Sequence, residues 1–186
     1  MKYEGIDLEK KAAYAIADLM VLAAKTAPKG RGADNIVSLV IDGKEKDALA
    51  EEMRKISKDT GSEVFSRDAG NVDNSHLVIL IGAKDNPVGL SCGFCGFKSC
   101  GELKKAGGRC AFNITDLGVA MGSAVSVAAN HRIDNRIMFT IGKAAQELKF
   151  FADDVKTCYG IPISSSSKSI FFDRSIASAP INLNKK

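Results

Sequence analysis

Four of the five cysteines of this 186-residue chain fall in one short run, Cys92, Cys95, Cys100 and Cys110, with the spacing C-x2-C-x4-C-x9-C. Thiolates gathered this densely are soft ligands for zinc, copper(I) or an iron-sulfur cluster. A chain with no secretion signal is not expected to keep them as disulfides. The residues between them favour iron and sulfide. Gly93 and Gly96 each follow a cysteine directly, where the missing Cβ lets the backbone bend around a bulky cluster and lets amides approach its sulfurs. Lys98, Lys104, Lys105 and Arg109 lie inside or beside the run, and positive charge suits the anion that a 4Fe-4S cluster forms with four thiolates. A structural zinc site more often shows two C-x2-C knuckles, and only one pair here has that spacing. Cys92, Cys95, Cys100 and Cys110 are therefore expected to bind one 4Fe-4S cluster, with zinc as the alternative.

Length and composition leave room for one domain, residues 1–186, that carries the cysteine-rich segment at about 88–112. Hydrophobic residues make up 45% and charged residues 26%, which is ordinary for a globular protein, and no apolar run approaches the roughly 20 residues that span a bilayer. The first residues are too polar for a signal peptide, so the expectation is a cytoplasmic protein with no membrane partner. The net charge of +4 is small and spread out, which argues against a nucleic-acid partner. Cys158, in the apolar stretch Val155 to Ile161, is expected to be a small buried residue outside the site.

Along the chain, Asp7 is placed to cap a helix whose apolar residues Leu8, Ala12, Ile16, Leu19, Met20 and Ala23 recur at helical spacing until Pro28 stops it. A glycine-rich basic loop, Lys29 to Asn35, runs into a strand at Ile36 to Ile41. A polar helix from about Lys46 to Asp59 stops at Gly61. The stretch Ser66 to Ser75 reads as a polar loop, and Leu77 to Ile81 as a buried strand because it does not alternate. After the cysteines, Asn113 or Thr115 is placed to cap a helix from Asp116 to Asn130, whose Gly118, Gly122, Ala124, Ala128 and Ala129 suggest close approach by another helix or a planar ligand. Arg136 to Thr140 reads as a strand, Lys143 to Phe151 as a short helix and Val155 to Ile161 as a strand, with a polar tail after Pro162. The alternation of helices and strands predicts a layered α/β or α+β sandwich.

Three stretches carry resemblances. The opening C-G-x-C-G-x-x-x-C resembles the start of the 4Fe-4S domain of corrinoid iron-sulfur proteins, in which the last ligand sits farther along. The run Ala23 to Gly30, followed by Asn35 and a strand, resembles the A-A-x-x-A-P-S helix-loop-strand of the nitroreductase-like flavoproteins, and the helix from Asp116 to Ala129 resembles their small-residue central helix. Lys29 replaces that family's usual serine, and its arginine-rich start is absent. Nearly the whole chain is also similar to a group of uncharacterised ferredoxin-domain proteins of anaerobes, in which A-A-x-T-A-P-K-x-R-G-x-D, the cysteine run, C-A-F-N-x-T-D-L-G and G-I-P-x-S occur in this order. These likenesses imply a nitroreductase-like α+β sandwich with a cysteine-rich cluster-binding insertion. They also imply FMN as a second cofactor against the loop Pro28 to Asn35, and a homodimer.

The candidate residues for an anionic cofactor are Lys29, Arg31 and Asn35 in the glycine-rich loop, with Lys168 and Arg174 from the tail, since paired cations and exposed amides suit phosphate. His76 and His131 have no ligand-spaced partner and read as surface residues. Gly30-x-Gly32 lacks the preceding strand that a dinucleotide fingerprint needs. No nucleophile-base pair stands out, which disfavours hydrolysis, and no catalytic residue is named. The sequence thus points to an iron-sulfur electron carrier or oxidoreductase that exchanges electrons with a redox partner protein or small-molecule acceptor. The alternative is a metal- or redox-sensing binding module in which a cluster or zinc ion is structural.

Overall fold

The computed structural model describes residues 2–172; Arg174, one of the candidate cofactor residues, lies outside the described residues. At the centre is β2, Leu77–Lys84, buried along all but its last residue. It pairs antiparallel with β1, Ile36–Ile41, on one side and with β4, Val155–Ser164, on the other. The short β3, Asp134–Asn135, completes a four-stranded sheet in the order β1-β2-β4-β3. Because side chains alternate across a strand, Leu77, Ile79 and Ile81 enter one core while Val78 and Leu80 enter another. That double burial is why the strand is apolar without a break.

One face of the sheet is covered by α1, Gly5–Thr26, and α5, Ala111–Asn130. The helices meet through small residues: Ala13, Ala17 and Ala24 of α1, and Ala120, Ala124 and Ala128 of α5, are all buried in the core they share. Of the apolar residues expected to form the packed face of α1, Met20 is fully buried. Leu8 and Leu19 are exposed, because close approach of the two helices selects the alanine stripe. The expectation for α5 holds on one side only. Nothing lies within 4 Å of a Cβ built on Gly118 or Gly122, so these glycines face outward. Helix α5 is long and apolar enough by composition to cross a bilayer, and one side of it is buried against α1 and the sheet.

The opposite face carries α2, Gly43–Thr60, α3, Glu63–Asp73, and α6, Phe139–Glu147. Helix α3 replaces the expected loop Ser66 to Ser75. Only Phe65, Ala69 and Val72 form its apolar stripe, and the buried Asp68 is offset by accepting a hydrogen bond from Thr140 Oγ1 at 2.7 Å. The expected strand Arg136 to Thr140 is reduced to a bridge between Met138 and Gly160, after which α6 begins at once. That early start follows from contact with β4. A Cβ on Gly142 would overlap the Cys158 carbonyl, and one on Gly160 would overlap the Ile141 side chain, so two glycines let α6 lie directly on the strand. Helix α2 ends as expected, at Gly61 in the left-handed conformation (φ 69°).

Candidate metal centre

The cysteine segment leaves the sheet after β2 and returns at α5, and its base is closed by three asparagines. Asn35 Nδ2 donates to the Asn86 carbonyl at 2.9 Å and to Asn113 Oδ1 at 3.1 Å. Asn113 Nδ2 donates to the carbonyls of Lys84 and Asn86, at 3.0 and 2.9 Å. Asn35 and Asn113 are buried, where unmet amides would be costly. Asn35, expected to face an anionic cofactor, therefore braces the loop. Asn113, expected as a helix cap, lies one turn inside α5, whose N-cap is Cys110.

Within the loop, Gly93 and Gly96 hold left-handed φ angles of 76° and 83°. The Gly96 amide donates to the Gly93 carbonyl at 2.9 Å, closing a tight turn around Cys95. A short helix α4, Cys100–Lys105, follows, capped by Ser99, whose hydroxyl accepts from the Glu102 amide at 3.2 Å. Its Leu103 is buried with Val88 and Cys110, and Cys95, Phe97, Phe112 and Ala33 pack against this small core. Two of the four cysteines thus belong to one small apolar cluster.

The Ser91 amide donates to Cys100 Sγ at 3.4 Å, from a residue held at φ 46°. That amide, aided by those of Gly89 and Leu90, holds the Cys100 thiol below its usual pKa against an opposing cost of burial. Cys92 is exposed, and Cys110 stands at the N-terminus of α5, where the helix dipole favours negative charge. Among the described residues no three His, Cys, Asp or Glu side chains are gathered closely enough to hold an ion. The donor set nevertheless fits an iron-sulfur cluster. Four soft thiols share one loop, backbone amides are aimed at one sulfur, and apolar walls stand behind two others. Cys158 lies in the core of the other face, where burial pushes its thiol up to about 12.

The glycine-rich loop, expected to serve a separate cofactor, lies against this segment. It forms a 3-10 turn at Gly30–Gly32. Arg31 Nη1 donates to the Val88 carbonyl at 2.9 Å, and the Phe112 ring stacks on the exposed Phe94 with centroids 5.9 Å apart. Lys29 Nζ donates to the carbonyls of Ala24, Lys25 and Ala27, at 3.2, 2.7 and 2.7 Å. It caps the end of α1. Lys168 is exposed in the polar stretch after β4. Sequence reasoning missed Asn86, Phe112 and Asp116. Their signal was adjacency to the cysteine run, and their partners are far away in sequence.

A family model described as "Uncharacterized protein containing a ferredoxin domain (DUF2148)" matches residues 106–174. A protein of Archaeoglobus fulgidus, described only as uncharacterised, is 42% identical over 177 residues, covering 90% of this chain and 95% of that one. Among solved structures, NfrA2 of B. megaterium superposes with a TM-score of 0.54 at 15% identity, over 83% of this chain and 58% of that one. This chain thus spans little more than half the length of that neighbour. A nitroreductase with bound FMN from Desulfitobacterium hafniense superposes with a TM-score of 0.57 at 13% identity, over 83% of this chain and 78% of that one. The fold is the nitroreductase fold, as the sequence led one to expect.

Proposed function

Because this chain belongs to the family of uncharacterised proteins containing a ferredoxin domain, we propose that it is an iron-sulfur redox protein in which Cys92, Cys95, Cys100 and Cys110 hold one 4Fe-4S cluster. The observation that carries this reading is that Cys95 and Cys110 pack in one small apolar cluster while the Ser91 amide donates to Cys100 Sγ. Bound there, the cluster would take up and release single electrons. Val88, Leu103 and Phe97 would keep water from its inner side. The amides of Gly89, Leu90 and Ser91 would offset its negative charge. Phe94, 78% exposed, marks the outer lip.

FMN is the second cofactor in this reading, by the likeness of fold to an FMN-bound nitroreductase. Against the loop Pro28 to Asn35, its phosphate would compete with the carbonyls that now hold Lys29 and Arg31. A homodimer is also part of the reading. Leu8, Leu19 and Leu22 of α1, and Ile114 and Val119 of α5, are exposed apolar residues that a second copy would cover. Electrons would pass to or from a redox partner protein or a small-molecule acceptor.

The test is anaerobic purification followed by iron, sulfide, zinc and flavin analysis. About four irons and four acid-labile sulfides per chain are expected, with most of the iron lost in Cys95→Ser and none in Cys158→Ser. A colourless protein with stoichiometric zinc, or equal iron loss in both variants, would overturn the assignment. Titrating the flavin-free protein with FMN decides the second cofactor.

A further inference from the structure

The cations singled out in the glycine-rich loop are occupied, whereas three lysines elsewhere line one cleft and form no ion pair among the described residues. Lys143 of α6, Lys149 just beyond it and Lys156 of β4 border a cleft of about 310 Å³, together with Gln146, Phe151 and Arg109. Arg109 is held by Asp85 at 3.1 Å. Asp153 is the one acid on the cleft wall, and the adjacent Asp154 faces Lys84 at 3.9 Å. Lys149 sits at φ 55°, a left-handed position at a helix end that usually takes glycine or asparagine. A second cleft, of about 250 Å³, shares Lys143, Gln146 and Lys156 and adds Phe139 and Tyr159, so the two form one groove. Lys143 and Lys156 border both clefts, with Lys149 and Phe151 on the first and Phe139 and Tyr159 on the second.

Cations that border one cleft repel one another, and a multiply charged anion relieves that repulsion. The groove's volume suits a small ligand, and its flat rings suit a planar one. We propose that this groove binds a nucleoside di- or triphosphate, with the phosphates held by Lys143, Lys149 and Lys156 and the base stacked on Phe151. Arg109 precedes Cys110 directly, so the ligand would border the cysteine segment. The proposal needs no cluster and no flavin.

The test is calorimetric titration of the full-length protein, as purified, with ADP and separately with inorganic pyrophosphate, at low and at physiological salt. Both are expected to bind at one site, ADP more tightly. Affinity should fall about tenfold or more in the triple variant Lys143→Gln, Lys149→Gln, Lys156→Gln and should weaken with salt. Phe151→Leu should weaken ADP and leave pyrophosphate unchanged. Thermal melting of each variant checks that it is folded. No saturable binding by the parent, or undiminished binding by the folded triple variant, would overturn the site. ADP binding no tighter than pyrophosphate would overturn the nucleoside. Binding of an acidic protein to this face with none of ADP would also overturn the proposal.

Discussion

The amide of Gly30 donates to both carboxylate oxygens of Asp116, at 3.0 Å each. Asp116 is 5% exposed, so this contact satisfies a buried carboxylate while fixing the glycine-rich turn to the second turn of α5. The same turn meets the cysteine segment through Arg31 and Phe112. One hydrogen-bonded pair therefore joins the two regions that the sequence presents as separate.

Asp116→Ala should lower stability by about 1–3 kcal/mol, since it leaves the Gly30 amide without its acceptor. Asp116→Asn keeps one acceptor oxygen and should recover part of that loss. Urea unfolding of the three proteins measures it, and equal midpoints for parent and alanine variant would refute the coupling.

A Cβ on Gly30 would stand 2.8 Å from Phe112 Cδ1. Gly30→Ala should therefore displace Phe112 and break its stack with Phe94, at a cost of about 1–2 kcal/mol. Near-ultraviolet dichroism of the phenylalanines, with the melting temperature, reports both effects.

Glycines in two helices should respond in opposite directions. Gly142→Ala forces a Cβ into the Cys158 carbonyl and should cost about 3 kcal/mol or more. Gly122→Ala enters open space on α5 and should gain about 0.5–1 kcal/mol in the monomer. Denaturant midpoints under identical conditions give the comparison.

Cys158 should make stability fall at high pH. Burial raises its thiol from 9.0 to about 12 in the folded chain, so only the unfolded chain ionises between those values. Its contribution is complete below pH 9 and is lost as pH rises toward 12. Unfolding midpoints at pH 8 and 10.5 should diverge more in the parent than in Cys158→Ala. Native alkylation should spare this cysteine, and rapid labelling at pH 8 would contradict its burial.

Lys29→Ala should destabilise the chain by about 1–2 kcal/mol, because the ammonium meets three carbonyls at the end of α1. A variant that loses FMN affinity yet unfolds like the parent would instead place Lys29 on the phosphate.

Several elements are legible because local chemistry decides them. Pro28 cannot continue α1, Gly61 takes the left-handed end of α2, and β2 has an unbroken apolar run that only double burial tolerates. Helix α3 is hidden because three apolar residues suffice for its shallow packing, and the start of α6 is hidden because Gly142 and Gly160 act across a long separation in sequence.

The sequence by itself determined the chemistry: four soft thiols in one loop, glycines that turn between them, and the alternation of helices and strands. Only the tertiary structure decided what each polar group faces. Lys29 turned back to its own helix, Asn35 to Asn86 and Asn113, and Asp116 to Gly30. Meanwhile Lys143, Lys149 and Lys156, far from the cysteine run in sequence, came to border one cleft. The physical reason is that buried or crowded polar groups must be satisfied, and their partners are chosen by position in space, which spacing along the chain does not encode.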